Sequence, residues 1–132
     1  DLAALIAARL SAGDGPLFYV RGNPSKGGLA QQLSRTGFSV RGDILYEVIA
    51  ADRLPAQASD ALRGGRLDAA MFFSPRSAEV FRTCLLREEL DCRKLIALCI
   101  SRAAAQALAP LDFSEIRIAD RPNQDGVLAL VE

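Results

Sequence analysis

Five short segments hold most of the side chains that can do chemistry: Arg21-Gly22-Asn23-Pro24-Ser25-Lys26, Tyr46-Glu47, Ser74-Pro75-Arg76-Ser77, Ser101-Arg102 and Asp120-Arg121-Pro122-Asn123. They are rich in Arg, Lys, Ser, Asn and Gly and poor in carboxylates. Backbone N–H groups at helix starts, with Arg or Lys nearby, form ready anion sites. Arg21, Lys26, Arg76, Arg102 and Arg121 supply the charge for such a site, and Ser74, Ser77 and Ser101 supply hydroxyls. The plain alternative is that Ser and Asn cap helices while the Arg side chains are solvated surface. Tyr46 stands apart: its phenol can donate a hydrogen bond to a leaving oxygen at neutral pH. It can equally be a half-buried strand aromatic.

Several familiar chemistries are missing. Gly22 to Gly28 (GNPSKGG) follows a strand and is Gly-rich, yet it fits neither the phosphate-loop nor the dinucleotide fingerprint. A phosphoacceptor domain needs an acidic pair after its first strand and an Asp ending its third. Arg21-Gly22 and Ser74 occupy those places. With no His in the chain, imidazole bases, ordinary Ser-His-Asp triads and Cys/His metal sites are all excluded.

The elements that position these segments follow from the punctuation. Leu17 to Arg21 lies between Gly15-Pro16 and Gly22-Asn23-Pro24 and reads as a strand. Ser25 to Thr36 carries Leu29 and Leu33 one helical turn apart and stops at Gly37. Phe38 to Val40 and Ile44 to Ala50 form one strand or two around Arg41-Gly42-Asp43. Pro55 to Gly64 reads as helix, with Pro at the start and Gly-Gly after the end. Asp68 to Ser74 is a continuous apolar run, expected of a strand covered on both faces. Helix Ser77–Leu90, strand Leu95–Ile100, helix Arg102–Leu108, strand Ser114–Ala119 and helix Gln124–Val131 complete the series. Five strands alternating with helices predict an α/β, flavodoxin-like doubly wound parallel sheet with helices on both faces. Ligands bind such sheets outside the carboxyl ends of the strands, where all five segments fall.

Composition bounds the rest. The 132 residues carry 16 Lys and Arg against 16 Asp and Glu, which argues against a general nucleic-acid binder. The hydrophobic half of the chain is too large for a disordered segment. Cys84, Cys92 and Cys99, an odd number without CxxC spacing, read as reduced thiols of a cytoplasmic protein. Cys99 lies in the apolar run Leu95–Ile100 and is expected to be buried. No apolar stretch reaches the roughly 18 residues of a membrane span. The chain begins at Asp1 without Met and ends at Glu132, each apparently inside a helix, and so reads as a piece of something longer.

In series, LFYVRGNPSKGGLAQQLSRTGFSV, ILYEVIA, LDAAMFFSPRSAEVF, LIALCISRAAAQAL and IRIADRPNQDGVLALV resemble the uroporphyrinogen-III synthase family over nearly the whole chain. The resemblance implies the carboxyl-terminal half of a protein with two flavodoxin-like domains. Leu2 to about Val40 would complete one domain and residues near 41–51 would form a connector strand. The remainder would belong to the other domain, whose first strand and helix lie in an absent amino-terminal part. It also implies a reaction, closure of hydroxymethylbilane to uroporphyrinogen III with loss of water and inversion of the last pyrrole ring, needing no metal or organic cofactor. Tyr46 matches the family's tyrosine near the leaving hydroxyl, and Ser74 the serine of its strand-end motif. Arg21, Gly22, Lys26, Arg76, Ser77, Ser101 and Arg102 are the expected substrate contacts. One departure stands out: Ala103 and Ala104 occupy places where the family commonly has Thr.

Two further expectations complete the reading. A non-catalytic anion-binding or interaction module is the competing function. For residues 1–132 alone, either the strands close locally into one sheet as a monomer, or two copies exchange the connector around Arg41–Ala51 as a swapped dimer. Local closure is favoured because it avoids the cost of association.

Overall fold

A computed structural model describes residues 2–23 and 28–131 of the chain. The elements in order are α1 (Leu2–Arg9), β1 (Leu17–Asn23), α2 (Leu29–Arg35), β2 (Val40–Glu47), α3 (Ala56–Arg63), β3 (Ala69–Phe72), α4 (Pro75–Glu88), β4 (Ile96–Cys99), α5 (Arg102–Ala107), β5 (Glu115–Ile118) and α6 (Gln124–Leu128). The chain divides into two compact units, Asp1–Ile49 and Ala50–Glu132.

The five strands are all parallel, but they form two sheets instead of one: β1-β2 in the first unit and β3-β4-β5 in the second. This corrects the expectation of local closure, because β1 pairs with β2 and not with the second sheet. The short β1–α2–β2 crossover gives β1 a partner within its own unit. Of the one strand or two left open around Arg41-Gly42-Asp43, the structure has one, β2, which runs unbroken through these residues. Gly42 continues β2 because a Cβ there would meet the Tyr19 carbonyl at 3.2 Å, so glycine lets the two backbones pair closely.

In the first unit, Ala3, Leu33 and Phe38 form a small core with Ile6, Leu17, Leu29 and Val40. Because side chains alternate along β1, Phe18 and Val20 point away from this core, and Phe18 is 63% exposed. In the second unit β4 is the buried centre: Ala97, Leu98 and Cys99 are all solvent-inaccessible or nearly so. One face packs Phe72, Ala97 and Cys99 against Ala78 of α4 and Ala104 of α5. Phe81 closes edge-on over Phe72, with ring centroids 5.1 Å apart. The other face sets Leu98 and Ala119 against Val127 of α6.

The expectation that the third strand is covered on both faces is corrected. Phe72 is buried, but Met71 and Phe73 on the opposite side are 43% and 47% exposed. β3 lies at the end of its sheet and α6 packs at the other end.

Candidate functional site

In the second unit the strand ends lie level. Phe72, Cys99 and Ile118 are register partners, so Ser74, Ser101 and Asp120, each two residues further on, fall in a row across the sheet. The row is held by Ile100 N–H donating to the Phe72 carbonyl at 3.0 Å and Ala119 N–H to the Cys99 carbonyl at 2.9 Å. Beyond it each chain turns into a helix through an extended capping residue. Ser74 Oγ accepts from Ser77 N–H at 3.0 Å, Ser101 Oγ from Ala104 N–H at 3.3 Å, and Asn123 Oδ1 from Gly126 N–H at 2.8 Å. Each cap satisfies one of the first N–H groups of its helix and leaves others facing the strand-end edge.

Ser74, Arg76, Ser77, Ser101 and Arg102 follow the carboxyl ends of β3 and β4. The expectation that Arg21 joins them along one sheet edge is corrected, because β1 pairs with β2 in a separate sheet. The Ser74 and Ser77 hydroxyls lie 2.9 Å apart, forming a pair that can share a single acceptor. Arg76 is half-buried in the first turn of α4, while Arg102 opens α5 and is exposed. Past β5, Asp120, Arg121, Asn123 and Asp125 line a cavity of about 330 Å³. A larger cavity of about 380 Å³ lies between Leu62–Leu67 and Glu89–Leu95, at the amino ends of β3 and β4. That is the opposite end from where doubly wound sheets bind ligands, so it is not the candidate site.

Arg21, Gly22 and Tyr46 lie in the first unit, on the β1-β2 pair. The register runs Val20 opposite Asp43 and Arg21 opposite Ile44, then jumps to Gly22 opposite Tyr46. Leu45 is the extra residue of a bulge. Without it Leu45 would share the face of Gly22; with it Tyr46 does, the re-aiming that strand bulges accomplish. The Tyr46 ring lies directly over Gly22, where a Cβ would fall 2.5 Å from Cζ and 2.9 Å from the phenol oxygen. Tyr46 is 62% exposed, so it is not the half-buried strand aromatic that the sequence left open. Both its ring edge and its phenol oxygen lie over the Gly22 backbone, while the residue as a whole is largely exposed. The reason Gly22 must be glycine, an aromatic ring 24 positions later, was not legible before the register was known. The Lys26 expectation lies outside the described residues.

The departure at Ala103 and Ala104 resolves into two different positions. Ala103 is exposed, whereas Ala104 has no accessible surface and packs in the core beside Phe72 and Ala97. A hydroxyl at Ala104 would enter the core, away from a ligand. Ser101 is the hydroxyl that this turn offers.

All three cysteines are free and buried. Burial pushes each thiol above its ordinary value, helped at Cys84 by the Glu88 carboxylate and at Cys92 by Asp91. Such thiols stay protonated and unreactive, and are packing residues.

Parallel strands joined through helices, with polar residues following the carboxyl ends of β3, β4 and β5, define a protein of the doubly wound α/β class. The sequence profile of the uroporphyrinogen-III synthase (HemD) family matches residues 1–129, and the chain belongs to that family. Among solved structures it is similar to the uroporphyrinogen-III synthetase of Helicobacter pylori 26695, with a TM-score of 0.67 and 17% identity. That match covers 99% of this chain and 56% of the Helicobacter protein, so the chain spans little more than half the length of that relative. No curated protein matches. Among the described residues, no helix is long and apolar enough to cross a membrane.

Proposed function

We propose that the chain is the carboxyl-terminal half of a two-domain uroporphyrinogen-III synthase, a lyase of tetrapyrrole biosynthesis. The observation that carries this reading, within the family, is the level row of capped helix starts and arginines on β3-β4-β5. Hydroxymethylbilane carries eight carboxylates on a flexible chain. It calls for many fixed N–H, hydroxyl and guanidinium donors more than for a strong base. Arg76, Arg102, Ser74, Ser77 and Ser101 serve one part of it, and Arg21, Lys26 and the Gly22 backbone another. Holding the linear chain curled brings its two ends within reaction distance, the main service such a site provides.

The chemical step needs little else. The pyrrole electrons push out the terminal hydroxyl: the C–O bond breaks and its electron pair leaves with the oxygen. The Tyr46 O–H donates to that oxygen, favouring its departure as water. Ring closure with inversion of ring D follows on the substrate's own electrons. Three buried free thiols suit a reducing cytoplasm.

The test is incubation with hydroxymethylbilane and separation of the product isomers. The gene-length protein is expected to yield uroporphyrinogen III, and residues 1–132 alone none. Product from the 132-residue piece would contradict a cleft that needs both domains. A second reading, a non-catalytic binding module, is favoured by one observation, the alanine at exposed position 103, where the family commonly has a threonine hydroxyl. Gene-length protein that binds the bilane without cyclising it would establish that reading instead.

A further inference from the structure

The chain passes from one unit to the other through a short stretch fastened at both ends. On the first side, Val48 N–H donates to the Asn23 carbonyl at 2.8 Å and extends the β1-β2 pair by one residue. On the second side, three residues in the last turns of α4 grip the segment Ala51–Leu54. Cys84 Sγ lies 3.5 Å from the Ala51 carbonyl, which accepts its S–H. Arg87 donates to the Asp52 carbonyl at 3.0 Å and lies 3.4 Å from the Asp52 carboxylate. Glu88 accepts from Leu54 N–H at 2.9 Å and from the Ser59 hydroxyl at 3.1 Å, with the Arg63 guanidinium at 3.9 Å. Ser59 is 3% exposed and is the buried polar residue of the second unit. Between the two fastenings lie Ile49 and Ala50, where the units divide. Ile49 is 89% exposed, so packing does not hold it.

We infer that Arg87 and Glu88 are positioning residues: by fastening Ala51–Leu54 to α4 they fix where the connector bearing Tyr46 leaves the second unit and confine pivoting to Ile49 and Ala50. The same 14-residue helix starts with Ser74, Arg76 and Ser77. An α-helix of that length is a stiff rod of about 21 Å. The connector's exit is thereby referenced to the carboxylate-binding row. Short pivots of this kind absorb the dihedral change when domains close on a ligand. The mechanical half of the inference stands on the contacts alone, and only its catalytic half rests on the function proposed above.

The test uses the gene-length protein with Gln32→Cys and Gln106→Cys, exposed positions in separate units, carrying spin labels. The native thiols are buried and stay unlabelled. Arg87→Ala and Glu88→Ala are expected to broaden the label–label distance distribution, and kcat should fall about tenfold with KM changing alongside it. Glu88→Gln keeps an acceptor for Leu54 N–H and is expected to restore both. Arg87 is half-exposed, so its variant remains informative even where Glu88→Ala fails to fold. An unchanged distribution in Arg87→Ala overturns the fastening. Broadening with kcat and KM unaltered overturns the positioning role. Absence of cyclisation by the wild-type protein overturns the proposed function instead, and the distance distributions then decide the fastening by themselves.

Discussion

The contact between Gly22 and Tyr46 makes a quantitative prediction. In Gly22→Ala the new methyl falls 2.5 Å from Cζ of the Tyr46 ring, whereas ordinary contact begins at 3.4 Å. The ring must therefore give way by about 1 Å, and misplacing a reacting group by that much costs up to about 100-fold. Folding is scarcely affected. Gly22 sits in strand backbone without a positive φ, so alanine is not strained there. The Tyr46 ring is mostly exposed and can turn outward, at a cost of about 1 kcal/mol for an unfavourable rotamer. Gly22→Ala in the gene-length protein is thus expected to denature in urea almost as the wild type does. Its kcat for uroporphyrinogen III should drop about 10- to 100-fold, approaching the loss in Tyr46→Phe. The decisive measurement is the double variant: once the phenol is gone, the added methyl should cost almost nothing further, a strong non-additivity. Wild-type kcat in Gly22→Ala would refute the reasoning, and so would additive losses. A destabilisation above about 3 kcal/mol would also refute it, since that size belongs to core packing and not to a surface ring.

Three further outcomes follow. Ser74→Ala and Ser101→Ala each remove a helix cap and should lower unfolding free energy by about 1 kcal/mol. If the proposed function holds, they should raise KM of the gene-length protein more than they lower kcat, and unaltered KM in both would remove these hydroxyls from the proposed binding row. The three thiols should resist a thiol reagent at neutral pH until denaturant is added. Because folding raises each thiol above 9.0, the associated stability is full below pH 9 and drains as pH climbs through the folded values. Rapid labelling of native protein would contradict their burial. Residues 1–132 alone, with Phe18, Met71 and Phe73 uncovered, should scatter light as a species heavier than a monomer that dissociates on dilution. A monomer mass at every concentration would exclude exchange of the connector between copies.

What the sequence makes legible here is what local chemistry decides. Ser101 and Asn123 can be read as helix starts because a capping side chain bonds its own backbone three residues on, and Pro55 and Gly64 mark the ends of α3 for equally local reasons. The helix read from Ser77, by contrast, starts two residues earlier, at Pro75 behind its cap Ser74. The apolar run Leu95–Ile100 correctly marks a central strand. Asp68–Ser74 is just as apolar, yet its strand lies at an edge with one face open, because the run itself carries no record of what packs against it. The division into two sheets is hidden for the same reason: five strands in sequence do not say which will pair. Tyr46 marks the sharpest limit. Its residue type suggests a proton donor, but its orientation depends on whether Ile44-Leu45-Tyr46 runs straight or bulged against Arg21-Gly22, and both are compatible with the sequence. A slip of one residue exchanges the faces of a strand. Had β2 run straight, Leu45 would lie over Gly22 and the phenol would turn to the face that holds Leu17 and Val40 against the helices. The bulge at Leu45, a residue with no chemistry of its own, thus decides which face of the sheet carries the phenol.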